Sequence, residues 1–192
     1  MWKQYFLVAL CIVFAASAGA GNVGKDIFPA GPIKPIDSQI KVSAGDEAPD
    51  FSLPAIDGST ITLSDYRGHS NVMISFIPAA WTPVCSDQWP GYNLAGDIFK
   101  NLDTVIIGIS VDNVPSLYVW ARQMGNFWFP VASDFWPHGK VADKYGVLRT
   151  DGTAERAIII VDKQGIIRMV HVEDINRRPE LGMIIGALKE IQ

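Results

Sequence analysis

The stretch Thr104-Val105-Ile106-Ile107-Gly108-Ile109-Ser110-Val111 is apolar on both its alternating faces, and this constrains the fold more than any other feature. A strand that shows one face to water alternates apolar and polar residues, whereas one covered on both faces reads as a continuous apolar run. A second run of this kind, Val72-Met73-Ile74-Ser75-Phe76-Ile77, lies upstream, and the segment between them is long enough for a helix. Doubly buried strands joined through a helix predict a parallel pair inside a layered α/β domain.

The flanking segments extend this pattern. Phe51-Ser52-Leu53 and Thr60-Ile61-Thr62-Leu63 bracket Asp57-Gly58, a hairpin signal, and Ser64-Asp65 suits a short helical turn through Tyr66-Arg67. The helix after the first buried strand is expected from about Cys85 to Leu102. Pro90 inside it cannot donate to the carbonyl of Ser86, which predicts a kink or a first turn set off from the rest. A helix from Pro115 to about Met124, a short strand over Phe127–Val131 and a short helix from Gly139 to Tyr145 follow. Arg156–Val161 and Ile166–His171 bracket the turn Asp162-Lys163-Gln164-Gly165, and a final helix runs from Pro179 to Ile191. Parallel strands joined by helices and closed by an antiparallel pair give an α/β fold with a mixed central β-sheet flanked by helices. That is the thioredoxin-like layout.

The 192 residues, 48% hydrophobic and 19% charged with a net charge of −4, suffice for one domain with its own core. Mild acidity without a Lys/Arg cluster argues against nucleic acid or an anionic membrane as partner. Residues 1–20 read as a secretory signal peptide: Lys3 supplies a positive charge, Phe6–Ala16 is apolar, and small residues place the cut after Ala18 or Ala20. The expected location is therefore exported, periplasmic or secreted. An uncleaved anchor is the alternative; lipid attachment at Cys11 is disfavoured because the apolar run continues past it. Residues 21–44, punctuated by Pro29, Pro32 and Pro35, read as a flexible N-terminal arm, and 45–192 as the folded domain.

Of the two cysteines, only Cys85 lies outside the leader, which excludes a disulfide framework. It stands where a strand gives way to a helix, close to unpaired backbone N–H groups and the positive end of the helix dipole. Such surroundings favour a thiolate over a thiol, although a lone cysteine is as often inert core filler. The neighbours decide between these. Thiol oxidoreductases of this layout place Cys-x-x-Cys at the start of the first long helix; here Thr82 takes the first position, giving Thr82-Pro83-Val84-Cys85. A hydroxyl cannot close a disulfide, but it can donate to whatever the sulfur attacks. Where thioredoxins carry a proline before the strand facing the site, this chain has Ala154-Glu155-Arg156. A guanidinium there offers positive charge and several planar donors to oxygen.

Pro78-x-x-x-Thr82-x-x-Cys85, with Arg156 opening a late strand, resembles the signature of the peroxiredoxins, the alkyl hydroperoxide reductase and thiol-specific antioxidant superfamily. The resemblance spans about Gly45 to Gln192. Ser133-Asp134-Phe135-Trp136-Pro137-His138-Gly139 followed by Tyr145-Gly146-Val147 is similar to the one-cysteine, E-type group. It implies a cofactor-free, thiol-dependent peroxidase acting on hydrogen peroxide and organic hydroperoxides. Cys85 would be the nucleophile, Arg156 and Thr82 donors to the peroxide oxygens, and Pro78 a shield against water. Trp81, Val84 and Gln88 are expected in the substrate pocket, Gln88 standing where many relatives have Glu. With no second cysteine in the mature chain, an external thiol, or a thioredoxin- or glutaredoxin-like reductant, must resolve the sulfenic acid. A homodimer is also implied.

His69, His138 and His171 lack ligand-like spacing, so no metal is expected. The remaining tryptophans read as packing residues. Two other classes compete: an exported thiol–disulfide oxidoreductase, and a non-catalytic or copper-delivery domain. Thr82 and the missing proline disfavour the first. The want of a second cysteine disfavours copper delivery.

Overall fold

The structure is a computed structural model that describes residues 23–192. The expected signal peptide, with its cleavage sites at Ala18 and Ala20, lies outside those residues. The sheet is built around the apolar runs. β3 (Asn71–Phe76) and β4 (Thr104–Ser110) pair in parallel, and β5 (Val131–Ser133) extends β4 in the same sense. On the other side β6 (Arg156–Val161) lies antiparallel to β3, and β7 (Ile167–Glu173) antiparallel to β6, giving the order β5-β4-β3-β6-β7. β1 (Ser52–Pro54) and β2 (Thr60–Thr62) form the separate hairpin that Asp57-Gly58 announces.

Alternation along the buried strands feeds a core on each face. Ile74, Phe76, Ile107, Ile109, Ala157 and Ile159 face one layer, shared with Tyr145, Val147 and the hairpin's Leu53 and Ile61. Met73, Ile77, Ile106, Ile158 and Ile160 face the other, shared with Trp89, Phe99, Trp120, Ile184 and Leu188. This second layer holds α1 (Cys85–Leu94), α2 (Gly96–Asn101), α3 (Val114–Gln123) and α5 (Leu181–Lys189) against the sheet, while α4 (Lys140–Tyr145) covers the first. Each fully buried aliphatic side chain contributes about 1.5–3 kcal/mol relative to exposure. β3 and β6, buried along their whole length, are therefore the least replaceable strands.

Two local expectations shift. The expected strand over Phe127–Val131 starts only at Val131. Phe127 stacks on Phe129 at 5.1 Å between ring centroids, and Trp89 meets both edge-on, so these rings pack inward instead of standing on a pleat. Pro130 then contributes only its carbonyl, to Gly108 N–H. The helix expected over 85–102 is interrupted at Ala95, not at Pro90, which sits inside α1. At the restart, Gly96 lies so close to Trp128 that an added Cβ would sit 2.8 Å from the indole Nε1.

The described part of the arm, residues 23–44, is bonded to the domain at several points. Among its described residues there is no strand or α-helix, yet the segment is tied down by tertiary contacts. Val42 is buried, Asp37 accepts from the Thr150 hydroxyl and N–H, and Arg149 Nη2 donates to Lys34 O at 2.8 Å. Ile175 N–H donates to Pro35 O at 3.1 Å, and Phe28 N–H to Trp81 O at 2.7 Å. Proline spacing excludes regular elements but says nothing about tertiary hydrogen bonds from the carbonyls that remain.

Candidate active site

β3 delivers the chain to a loop, Ile77–Val84, that is fastened before it turns into α1. Ile77 N–H donates to Ile109 O at 3.0 Å, and Ala80 N–H donates to Asp112 Oδ2 at 2.7 Å. Ser110 Oγ donates to that same carboxylate oxygen at 2.6 Å, tying the loop to the end of β4. Trp81 has φ 64°, a left-handed conformation that costs a bulky residue about 1–3 kcal/mol and that the surrounding contacts hold in place. Ser86 N–H donates to Thr82 O at 3.0 Å, and Cys85 begins α1 as its first residue. Among the described residues the Cys85 N–H has no hydrogen-bond partner, as first-turn donors of a helix commonly lack one. Trp120 Nε1 donates to Ser86 Oγ at 3.1 Å and Trp89 Nε1 to Ser75 Oγ at 3.0 Å, so α1 is pinned from both sides.

Cys85 is fully buried, but the sulfur does not sit in hydrocarbon alone. Arg156 opens β6, whose antiparallel register with β3 puts Ala157 opposite Phe76 and so brings the arginine to the mouth of the nucleophile loop. Its Nη2 lies 3.5 Å from Cys85 Sγ. Nε and Nη2 also donate to Ile175 O at 3.1 and 2.9 Å, and Nη1 donates to Gln88 Oε1 at 2.5 Å. Those acceptors are all neutral. The adjacent carboxylate, Glu155, points away and pairs with Arg149 Nη1 at 2.6 Å. A guanidinium that is 2% exposed without a carboxylate partner is a buried charge seeking an anion, and the group it meets is a thiol.

In front of this pair lies a cleft of about 230 Å³, lined by Pro78, Thr82, Pro83, Val84, Arg156, Ile175 and Asn176 together with the arm residues Ala30, Gly31 and Ile33. The structure thus brings Pro78, Thr82, Val84 and Arg156 to one cleft; Cys85 is not among its lining residues and is reached from it through Arg156, whose Nη2 lies 3.5 Å from the sulfur. Trp81 and Gln88 are elsewhere. Trp81 packs on the aromatic layer and lends its carbonyl to the arm. Gln88, buried one turn along α1, stands behind Arg156, and its Nε2 donates to Ser75 Oγ at 3.3 Å and Tyr92 Oη at 3.2 Å. Burial of Tyr92 pushes its phenol well above the usual range, so it serves this network as a neutral hydroxyl. The Thr82 hydroxyl donates to Ala79 O at 2.9 Å, which uses its one hydrogen within the loop and leaves its lone pairs toward incoming donors. Sequence reasoning missed Ile175, Asn176 and the arm. None carries a motif; only the fold carries them to the cleft.

Comparison with known proteins agrees with this geometry. The AhpC/TSA family profile matches residues 44–170. Alkyl hydroperoxide reductase E of Mycobacterium tuberculosis is 39% identical over 133 residues, covering 69% of this chain and 86% of its own. The chloroplastic 2-cysteine peroxiredoxin of Chattonella marina var. antiqua is 31% identical over 162 residues, covering 80% and 82%. Among solved structures, the reduced 2-Cys peroxiredoxin of Plasmodium vivax superposes with a TM-score of 0.72 at 26% identity, covering 78% of this chain and 81% of that one. AhpC of Mycobacterium tuberculosis gives 0.71 at 25% identity, covering 79% and 98%. A thioredoxin-like sheet, a cysteine opening its first long helix and an arginine beside the sulfur meet here in a chain that belongs to the AhpC/TSA family, the thiol-dependent peroxidases called peroxiredoxins.

Proposed function

We propose that this peroxiredoxin works with one cysteine, reducing hydrogen peroxide and organic hydroperoxides through Cys85 and relying on an external thiol for recovery. The observation that carries the reading is the Arg156 guanidinium, buried without a carboxylate and 3.5 Å from Cys85 Sγ. The thiolate attacks one peroxide oxygen, an S–O bond forms as the O–O bond breaks, and the leaving oxygen departs as alkoxide or hydroxide and takes up a proton. Negative charge thus moves from sulfur to the departing oxygen. Donors already fixed in place stabilise that movement without reorganising. Arg156 and the Cys85 N–H, a first-turn donor of α1, would supply it; the Thr82 hydroxyl would contribute by orienting the peroxide proton or by turning from Ala79 O.

Cys85 then carries a sulfenic acid. The sequence has two cysteines and the other, Cys11, lies in the apolar leader, so no partner for an internal disulfide is at hand in the domain. An external thiol condenses with the sulfenic acid to a mixed disulfide, releasing water, and a second thiol restores Cys85. A thioredoxin- or glutaredoxin-like protein would serve. Export after cleavage at Ala18 or Ala20, and a homodimer, complete the proposal and rest on the leader pattern and the family.

Peroxide consumption with a small dithiol as reductant tests the reading. Wild type is expected to turn over and Cys85→Ser to have no activity above background. Equal consumption by both proteins would contradict it, as would efficient reduction of insulin disulfides by the wild type.

A further inference from the structure

The arm adds to this site something the rest of the family-matched chain does not contain. The matched stretch begins at residue 44, whereas Ala30, Gly31 and Ile33 form one wall of the cleft. The segment is held at both ends and spans the mouth between them. On one side Phe28 N–H donates to Trp81 O at 2.7 Å, within the nucleophile loop itself. On the other, Asn176 Nδ2 donates to Ile33 O at 3.0 Å, Arg149 Nη2 to Lys34 O, and Asp37 N–H to Glu155 Oε1 at 2.6 Å. Pro29 and Pro32 stiffen the bridge, since each has a fixed φ.

We propose that residues 28–33 act as a substituent wall, with Gly31 and Ile33 tuning the enzyme toward hydroperoxides that carry a compact organic group. The inference rests on the peroxidase reading given above. The wall opposite the arm is Pro78, Pro83 and Val84, so the two sides are mainly apolar, while the polar groups concentrate at Arg156, Thr82 and Asn176. A ligand with one peroxide end and one hydrocarbon end matches this division, since a few polar groups orient it and apolar walls bury the rest. Size agrees. One water needs only about 10–15 Å³ of cavity volume, so a cleft of about 230 Å³ leaves most of its space unfilled by hydrogen peroxide. It is also smaller than the roughly 300–1,000 Å³ typical of sites for drug-sized ligands. A branched alkyl or phenyl group is of a size to lie under the arm.

The test compares second-order rate constants for hydrogen peroxide and cumene hydroperoxide in wild type, Gly31→Leu and Ile33→Ala. A Cβ at Gly31 meets nothing within 4 Å and the backbone there is not left-handed, so leucine enters without strain. Gly31→Leu is expected to lower the ratio of the cumene hydroperoxide to the hydrogen peroxide rate constant about tenfold or more. Ile33→Ala removes apolar contact and is expected to lower the same ratio severalfold. Unchanged selectivity in both variants overturns the wall, as does an equal fall for both peroxides. Wild type reacting with hydrogen peroxide alone also overturns it, while leaving the peroxidase reading standing. Wild type reacting with neither peroxide removes the peroxidase reading itself.

Discussion

Two arginines flank the start of β6, and both are buried, yet they are treated oppositely. Arg149 is neutralised: its Nη1 meets Glu155 Oε2 at 2.6 Å, with both side chains at 1% exposure or less. Among the described residues, Arg156 donates to the Ile175 carbonyl and the Gln88 amide oxygen and meets the Cys85 sulfur, with no carboxylate in ion-pair reach. The first is a staple that joins the arm to the domain through Lys34 O. The second is a charge left open toward a nucleophile. A buried pair balanced internally has little left to offer a substrate, whereas a buried cation lacking a carboxylate favours whatever negative charge forms beside it. Position in the fold does not separate these two residues. Their acceptors do.

The sharpest way to break the comparison is to remove each guanidinium while keeping apolar volume. Arg156→Met is expected to slow oxidation of Cys85 by about 10²–10³-fold, with a stability loss of about 1–3 kcal/mol from the Gln88 and Ile175 oxygens left without their donor, and no stranded carboxylate to add to it. Stopped-flow tryptophan fluorescence reads the rate, since Trp120 bonds to Ser86, the residue after Cys85. An unchanged rate would take Arg156 out of the mechanism. Arg149→Met should do the converse. It leaves Glu155 buried and unpaired, which costs about 3–5 kcal/mol, visible as a lower midpoint in urea unfolding, while any surviving folded protein keeps most of its rate.

Gln88→Glu sharpens the contrast further by giving Arg156 the partner that Arg149 has. The hydrogen bond is kept and the charge is balanced, so oxidation should slow by roughly tenfold, or about 1.4 kcal/mol of barrier. A faster variant would mean that the amide serves a different purpose. The smallest effect concerns the arm and acid. The Lys34 ammonium, with the hydroxyl and N–H of Thr150, holds the Asp37 carboxyl well below the usual carboxylate range. A depressed carboxyl stabilises the folded state above its unfolded pKa and loses that contribution as pH falls through the folded value. The arm should thus stay fastened from neutrality down to about pH 4 and loosen only below it. Amide hydrogen exchange across residues 28–37 reads this; loosening that began near pH 6 would assign the anchor to some other group.

Much of this was legible before any coordinates. The doubly apolar runs dictated β3 and β4, because only a strand covered on both faces needs apolar side chains at successive positions, and the turn Asp162–Gly165 marked β6 and β7 as a hairpin. The places of Cys85 and Arg156, opening α1 and β6, were legible because helix start and strand start are themselves sequence signals. What escaped depends on contacts between distant segments. Phe127–Pro130 has strand-like composition, but its rings are claimed by Trp89, and the strand slides on to Val131. Gln88 is near Cys85 in sequence, yet a helical offset carries it behind the arginine and away from the cleft. The arm's role was invisible because Pro-rich sequence reports the absence of local elements and nothing of the carbonyls that Arg149, Ile175 and Asn176 find.

The central claim is that the sulfur beside Arg156 is the group that peroxide oxidises. Its most direct test is to treat the reduced protein with one equivalent of hydrogen peroxide in the presence of dimedone, then map the adduct by peptide mass. The account predicts a single, peroxide-dependent dimedone adduct on the peptide containing Cys85, formed quickly in wild type and slowly in Arg156→Met. An unmodified Cys85, or labelling that proceeds equally without peroxide, would contradict it.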